Sequence, residues 1–283
     1  MDKDGSGRSM NLMHGAFAIG AVAGPLILGL ILVTGLAWTL LFRIIALFFA
    51  VLIVALAFTR FEGLGKPDSS SESHRAGKLS IRGPAFYLGF LALLVYVGAE
   101  LGISNWIAEY FVRIFSARPA VASLTVSLFW IGLLAGRFGV PLLYKGTRQE
   151  PVLVFSSLLL VAATVALNAL GYSAEGLAAG SLIPLAFVLT FLAGLGCSII
   201  YPTVISLVGI ACKDAQAEAI SFSVAGGGFG LFAFPFLMSW LSQAYGLKLG
   251  FASYAIVALV TAAACVALSK ATMKKKREVA AGG

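Results

Sequence analysis

The sequence predicts an all-α membrane protein with eight transmembrane helices, and three observations carry this prediction. Hydrophobic residues make up 60% of the 283 residues and charged residues only 11%. The mean hydropathy is +0.97, whereas a water-soluble domain carries about 25% charged residues. Apolar runs of about 20 residues, the length that crosses a bilayer core, recur along the chain. Because lipid cannot satisfy backbone amides, such runs indicate helices.

The apolar runs place the predicted membrane spans in order along the chain, at residues 10–34, 38–59, 83–112, 119–141, 151–171, 178–208, 217–243 and 249–269. Several of these runs exceed the length needed to cross the hydrocarbon core. The excess indicates tilted helices, ends that project into water, or kinks at prolines. The candidate kinks are Pro25, Pro184, Pro202 and Pro235.

One long polar stretch divides the predicted spans into two groups. Residues 60–82 are rich in Ser, Gly and charge, which is typical of a solvated linker. Residues 1–59 then hold two helices, residues 83–270 hold a six-helix bundle, and residues 271–283 form a basic tail. We expect the linker and the tail to be cytoplasmic.

The distribution of Lys and Arg predicts the orientation of the chain in the membrane. With the N-terminus inside, sixteen of the twenty Lys and Arg residues fall on the cytoplasmic side. Arg113, Arg118 and Lys248 fall outside, and Arg43 lies near the outer end of the second span. Both termini are then cytoplasmic in a bacterial plasma membrane (the inner membrane). The net charge of +8 reflects this topology and anionic membrane lipid, so no nucleic-acid partner is predicted.

Motifs for enzymatic chemistry are absent from the sequence. The three cysteines and two histidines lack metal-ligand spacing, and neither a GxSxG nor an HExxH motif occurs. We therefore predict no enzyme activity, no metal and no cofactor. A channel is disfavoured because the chain has no repeat that would form a ring and no charged filter segment.

Small residues in the spans predict where helices pack against each other, since helices in lipid associate through close backbone approach. The first span contains Gly24 and Pro25, and the seventh contains the run GGGFG, which includes Gly227 and Gly228. This run has two interpretations. It packs tightly against a neighbouring helix, or it lets its helix bend as a gate.

Four segments have distinctive patterns of glycine, proline and aromatic residues: NLMHGAFAIGAVAGPLI (11–27), YVGAELGISNWIAEYF (96–111), SLFWIGLLAGRFGVPLL (127–143) and GLGCSIIYPTVISL (194–207). Together, in this order, they resemble the major facilitator superfamily. The pattern is most similar to the fucose permease-like branch of proton-coupled sugar symporters. Members have twelve helices in two bundles of six, so the resemblance implies that the spans correspond to family helices 5 to 12. The four preceding helices are then missing from this chain, and they or a second chain are required as partners.

The resemblance implies secondary active transport of a small polar solute by alternating access between the two bundles. A monosaccharide with proton coupling is the expected substrate. Two alternatives stay open: a non-transporting fragment or membrane scaffold of such a permease, and an exporter of other small molecules.

Glu100 is the first candidate for a functional residue because it lies near the centre of the third span. Inserting an ionisable group at that depth costs at least ~2.5 kcal/mol. Tyr96 and Tyr110 share its helix face, with Trp106 at the edge, whereas Asn105 and Glu109 point elsewhere unless the helix breaks at Gly102. The hypothesis is that Glu100 binds substrate hydroxyls or couples protons while the aromatic rings contact a sugar. The alternative is that Glu100 anchors helix packing.

Three further residues are candidates, each with two interpretations. Tyr201 precedes Pro202, whose missing N–H leaves a carbonyl unpaired, and it either contacts substrate or packs beside the kink. His14 either relays protons or lies at the membrane interface. Arg137 resembles the family's basic loop motif that latches the bundles, without the usual adjacent acidic partner, or it is a solvated charge on the cytoplasmic side.

Overall fold

The computed structural model describes residues 8–59, 83–144, 146, 148–174 and 179–281, without the side chains of residues 8–18, 141 and 276–281. The predicted linker at 60–82 lies outside the described residues. Within them, helices and short turns account for the backbone and no strand is present. The prediction of an all-α membrane protein is confirmed.

Nine α-helices occur in the described part of the chain. They are α1 (Arg8–Val33), α2 (Thr39–Phe58), α3 (Pro84–Ile114), α4 (Pro119–Leu143), α5 (Glu150–Ser173), α6 (Ile183–Cys197), α7 (Ile200–Ala211), α8 (Gln216–Tyr245) and α9 (Leu247–Ala281). Short 3₁₀ turns precede α6 and α8.

Seven helical segments among the described residues are long and apolar enough to cross a membrane, and α6 and α7 together form one of them, Ala179–Ala211. The apolar part of α1, Ile19–Val33, is shorter. The eight predicted spans thus correspond to seven membrane-length segments and this shorter one. Helix α9 continues to Ala281, so most of the predicted tail at 271–283 extends the last helix.

The described backbone is interrupted beside only one of the four candidate prolines. Pro25 and Pro235 lie inside the continuous helices α1 and α8. Pro184 lies in the first turn of α6, where a missing N–H has no helical acceptor to lose. Pro202 follows a break at residues 198–199 that separates α6 from α7. Helix α3 is unbroken at Gly102.

Helix α3 is the centre of the bundle, where it packs against α8 and α9, while α4 packs against α6 and α5 against α6 and α9. Glycines allow the closest approaches. A Cβ at Gly226 or Gly230 of α8 would lie 2.4 or 2.0 Å from the carbonyl oxygens of Phe90 and Leu94 in α3. The predicted association through small residues is therefore present between α3 and α8.

Two of the predicted packing glycines have no close neighbour among the described residues. A Cβ at Gly24 or Gly228 would meet nothing within 4 Å, whereas one at Gly227 would lie 3.0 Å from Val97 of α3. Helix α1 instead approaches α4 through Gly29, where a Cβ would lie 2.6 Å from the Ser123 hydroxyl oxygen. Spacing along the helix explains the difference, since Gly226 and Gly230 are one turn apart and Gly228 faces away from α3.

Helix α2 differs from the other helices because none of its residues is buried. Its residues are apolar apart from Thr39 and Arg43, and large side chains such as Phe48 and Ile53 are exposed. The part of the structure that positions buried polar groups is the bundle of α3 to α9, with α1 packed on α4.

Candidate functional site around Glu100

Glu100 is buried inside the helix bundle and is only 7% exposed. It lies one turn from Tyr96 on α3, and the two side chains interact electrostatically. The guanidinium of Arg137, from α4, is the positive charge within electrostatic range of this carboxyl group. An acidic group and a basic group from different helices therefore interact within membrane-length segments.

The break between α6 and α7 is the second part of the site. In a regular helix the N–H of residue 202 would bond the carbonyl of residue 198, but Pro202 has no N–H. The structure places a donor from another helix at each of two carbonyls beside the break. The Tyr96 hydroxyl donates to the Cys197 carbonyl at 2.9 Å, and Arg137 Nε donates to the Ser198 carbonyl at 3.2 Å.

Tyr201 completes the cluster from the first turn of α7. Its ring centroid lies 6.5 Å from that of Tyr96, its hydroxyl is within electrostatic range of Glu100, and its side chain is half-buried. We call the six residues Tyr96, Glu100, Arg137, Cys197, Ser198 and Tyr201 the Glu100 site. Tyr201 and Arg137 are the half-buried members of this group, and the other four residues are buried.

Tyr110 and Trp106, predicted on the same face as Glu100, have other surroundings. Tyr110 is fully buried and stacks on Phe251 of α9 at 4.1 Å between centroids. Its hydroxyl lies against Gly171 of α5 and has no hydrogen-bond partner among the described residues. Trp106 is half-buried against the core. The shared face is therefore divided along the helix between the Glu100 site and a packed aromatic cluster.

The remaining candidates separate into those the structure describes and those it does not. His14 lies in α1, but its side chain is outside the described residues. Arg137 is half-buried, and its contacts are the Ser198 carbonyl and the field of Glu100. The acidic group near Arg137 is thus on another helix, not beside it in the sequence.

Sequence reasoning identified the unpaired carbonyl before Pro202 but not its partners. It also did not predict that the Cys197 carbonyl accepts a hydrogen bond from the Tyr96 hydroxyl, or that the Ser198 side chain is fully buried. From the sequence, Pro202 indicates only that the carbonyl four residues earlier lacks its helical donor. Asn105 was placed away from Glu100, and it is exposed on the unbroken helix α3.

Metal chemistry has no support in the described part of the chain, where no group of three His, Cys, Asp or Glu residues could hold a metal ion. The site offers one carboxyl group, tyrosine hydroxyls, backbone carbonyls and a guanidinium. Such groups bind polar hydroxyls or exchange protons.

Three curated relatives are similar to this chain at low identity. The protein named bypass of stop codon protein 6, from Saccharomyces cerevisiae, is 24% identical over 273 residues, covering 84% of this chain and 53% of the relative. An uncharacterised MFS-type transporter from Yersinia pestis is 23% identical, covering 94% and 65%. A glucose/galactose transporter from Brucella abortus is 27% identical, covering 72% and 49%.

No family model matches the chain, and no solved structure matches it. The chain spans about half to two thirds of the length of the relatives above. Two of them are named as transporters, so the comparisons support a membrane transporter and not an enzyme. The chain is a multi-pass helical membrane protein. Its similarity to these relatives supports the assignment to the major facilitator superfamily.

Proposed function

We propose that this chain is part of a secondary active transporter that moves a monosaccharide or similar small polar solute together with protons by alternating access. The observation that carries the proposal is the buried carboxyl group of Glu100, held at a broken helix inside the membrane bundle. Ionisable groups at such depth mark substrate or proton pathways in membrane proteins. The sugar transporter among the relatives supports the substrate class, and the resemblance to the fucose permease-like branch belongs to the same proposal.

In this proposal the residues of the Glu100 site have different roles. Glu100 takes up the proton and accepts hydrogen bonds from substrate hydroxyls. Tyr201, which is half-buried, and Trp106 offer flat apolar surfaces to a sugar ring. Tyr110 has no exposed surface in this structure, so its proposed contact with substrate requires α3, α5 and α9 to separate. His14 is kept as a second proton carrier.

The proposed transport pathway requires more than the helices of this chain. Family members bind substrate between two bundles, and the relatives extend well beyond the matched length. We propose that α3 to α9 form the C-terminal bundle, and that α1 and α2 belong to an N-terminal bundle completed by further helices or a second chain. Helix α2, which has no buried residue, provides a surface for that contact. Both termini are then cytoplasmic in the plasma membrane.

The proposal is tested by uptake of radiolabelled hexoses into proteoliposomes with an imposed inward proton gradient. The 283-residue chain is measured alone and joined to the part of the relative from Yersinia pestis that the match does not cover. We expect Glu100→Gln to reduce gradient-driven uptake at least tenfold and to remove its pH dependence, because the side chain can no longer exchange a proton.

The matched control is Glu109→Gln on the same helix. Glu109 is an exposed acid paired with Arg113, so its neutralisation is expected to leave uptake within about twofold, as surface ion pairs contribute little. Equal uptake and equal pH dependence of Glu100→Gln and the unmodified chain would rule out the proposed role of Glu100. Uptake only with the added part of the relative would support the requirement for further helices.

A further inference from the structure

The break between α6 and α7 leaves the Ser198 carbonyl without its helical donor inside a membrane segment, because Pro202 has no N–H. Both Cys197 and Ser198 are fully buried. An unsatisfied carbonyl is strongly unfavourable in a bilayer core. The break therefore depends on donors supplied by other helices.

Two side chains supply these donors, and each is also a neighbour of Glu100. Tyr96 of α3 donates to the Cys197 carbonyl at 2.9 Å, and Arg137 of α4 donates to the Ser198 carbonyl at 3.2 Å. Glu100 lies one turn after Tyr96 on α3, so its carboxyl group is on the same helix face as the Tyr96 donor, and it is within electrostatic range of Arg137. The carboxyl group and the broken helix thus share their two partners.

Sharing makes the two contacts competitive. A tyrosine hydroxyl has a single proton to donate, so Tyr96 satisfies either the Cys197 carbonyl or the Glu100 carboxylate. The guanidinium group of Arg137 has five N–H donors, but it can lie close to only one of the two acceptors at a time. An ionised carboxylate attracts it more strongly than a neutral carbonyl does. A protonated Glu100 has no negative charge and releases both donors to the break.

The titratable groups around Glu100 come from several helices. Tyr96 is on the same helix, Arg137 is on α4, Cys197 on α6 and Tyr201 on α7. Helix α9 places Tyr254 against Gly102, and α8 places the apolar Phe234 against Gly98. Among these described groups Arg137 is the cation that interacts with Glu100.

We propose that Arg137 is a positioning residue that couples the charge of Glu100 to the geometry of the break between α6 and α7. When Glu100 is protonated, Arg137 and Tyr96 hold the Ser198 and Cys197 carbonyls. When Glu100 is ionised, the two donors turn towards the carboxylate, and the break loses its donors and changes shape. This inference rests on the proposed function, because it assigns a mechanical consequence to the proton taken up by Glu100.

The primary test does not depend on transport. Infrared difference spectra of the purified protein, recorded from pH 4 to 10, follow the carboxylic acid C=O band, which is assigned to Glu100 by its loss in Glu100→Gln. We expect Arg137→Gln to move the midpoint of this band to higher pH by at least about one unit, since removing a nearby opposite charge has an effect of this size. Arg137→Lys, which retains the charge, is expected to leave the midpoint within about half a unit.

Ser104→Ala is the matched control for helix packing. Ser104 of α3 accepts a hydrogen bond from Trp130 Nε1 of α4 at 3.1 Å, so the control loosens the same helix pair without changing charge. We expect it to lower the melting temperature without moving the band. A variant Arg137→Gln that loses stability and leaves the midpoint unchanged would make Arg137 a packing residue only and overturn the proposal.

Two further measurements keep the test decisive. If Arg137→Gln does not fold, Tyr96→Phe takes its place, because it removes the other shared donor, and an unmoved midpoint again contradicts the proposal. In proteoliposomes the pH profile of uptake should move with the band. A moved band without any proton-dependent uptake by the unmodified protein would leave the coupling intact and reject the proposed function.

Discussion

Individual tyrosines show how differently two identical side chains on one helix are used. Tyr96 and Tyr110 are both fully buried on α3. The Tyr96 hydroxyl donates to the Cys197 carbonyl, whereas the Tyr110 hydroxyl has no partner and its ring does the packing against Phe251. Removing the two hydroxyl groups should therefore have unequal effects.

We expect Tyr96→Phe to lower the free energy of unfolding by about 1–2 kcal/mol, because it leaves a buried carbonyl unsatisfied. Tyr110→Phe should change it by less than about 0.5 kcal/mol, since no hydrogen bond is lost and the stacked ring remains. Urea unfolding of both variants in detergent micelles measures the difference. Equal losses would indicate that Tyr110 has a hydrogen-bonded partner in the membrane.

At the scale of elements, the contact between α3 and α8 depends on glycines on one face only. A Cβ at Gly230 would lie 2.0 Å from the Leu94 carbonyl oxygen, whereas a Cβ at Gly228 would meet nothing within 4 Å. Both glycines are in the middle of the same helix. Substitutions at the two positions therefore form a matched pair, which measures how much the close approach of α3 and α8 contributes to stability.

Gly230→Ala should destabilise the protein by about 1–3 kcal/mol, because α3 and α8 must move apart to accept the added methyl group. Gly228→Ala should be neutral or stabilising by up to about 1 kcal/mol, since alanine is the better helix former. Thermal unfolding in detergent compares the two variants. A loss of stability in both would mean that Gly228 is also covered, by a surface outside the described residues.

At the scale of the whole molecule, basic residues are concentrated at the end of the bundle where α3 and α8 begin. Lys213, Lys270 and Lys274 lie at that end, and Lys275 there donates a hydrogen bond to the Ala211 carbonyl at the end of α7. Arg113, Arg118 and Lys248 lie at the other end. The positive-inside rule predicts that the first end is cytoplasmic.

Cysteines placed at the two ends of α8 test this orientation. Ala217 and Ala244 are exposed near its first and last turns, and the native cysteines Cys197 and Cys265 are buried. In a Cys212→Ala background, a membrane-impermeant maleimide added to intact cells should label Ala244→Cys at least tenfold more than Ala217→Cys, because only one end is outside. Inside-out vesicles should reverse the ratio, and the same ratio in both preparations would contradict a single orientation.

The sequence alone determined that most of the chain lies in lipid and that it forms helices. It also predicted that Glu100 lies near the centre of the bilayer. Long apolar runs carry this information locally, since a helix in lipid satisfies its own backbone wherever it lies in the bundle. The break before Pro202 was also readable, because the missing N–H is a property of that residue. Helix periodicity placed Tyr96 beside Glu100, one turn away.

Only the tertiary structure decided which groups meet Glu100. Arg137 is distant in sequence and its neighbour Ser198 belongs to a third segment, so their contact depends on how α3, α4 and α6 cross. The same holds for Tyr110, which shares a helix face with Glu100 but packs against α5 and α9. Periodicity defines a face of one helix, whereas the partners of that face are set by packing between helices, which no local pattern encodes.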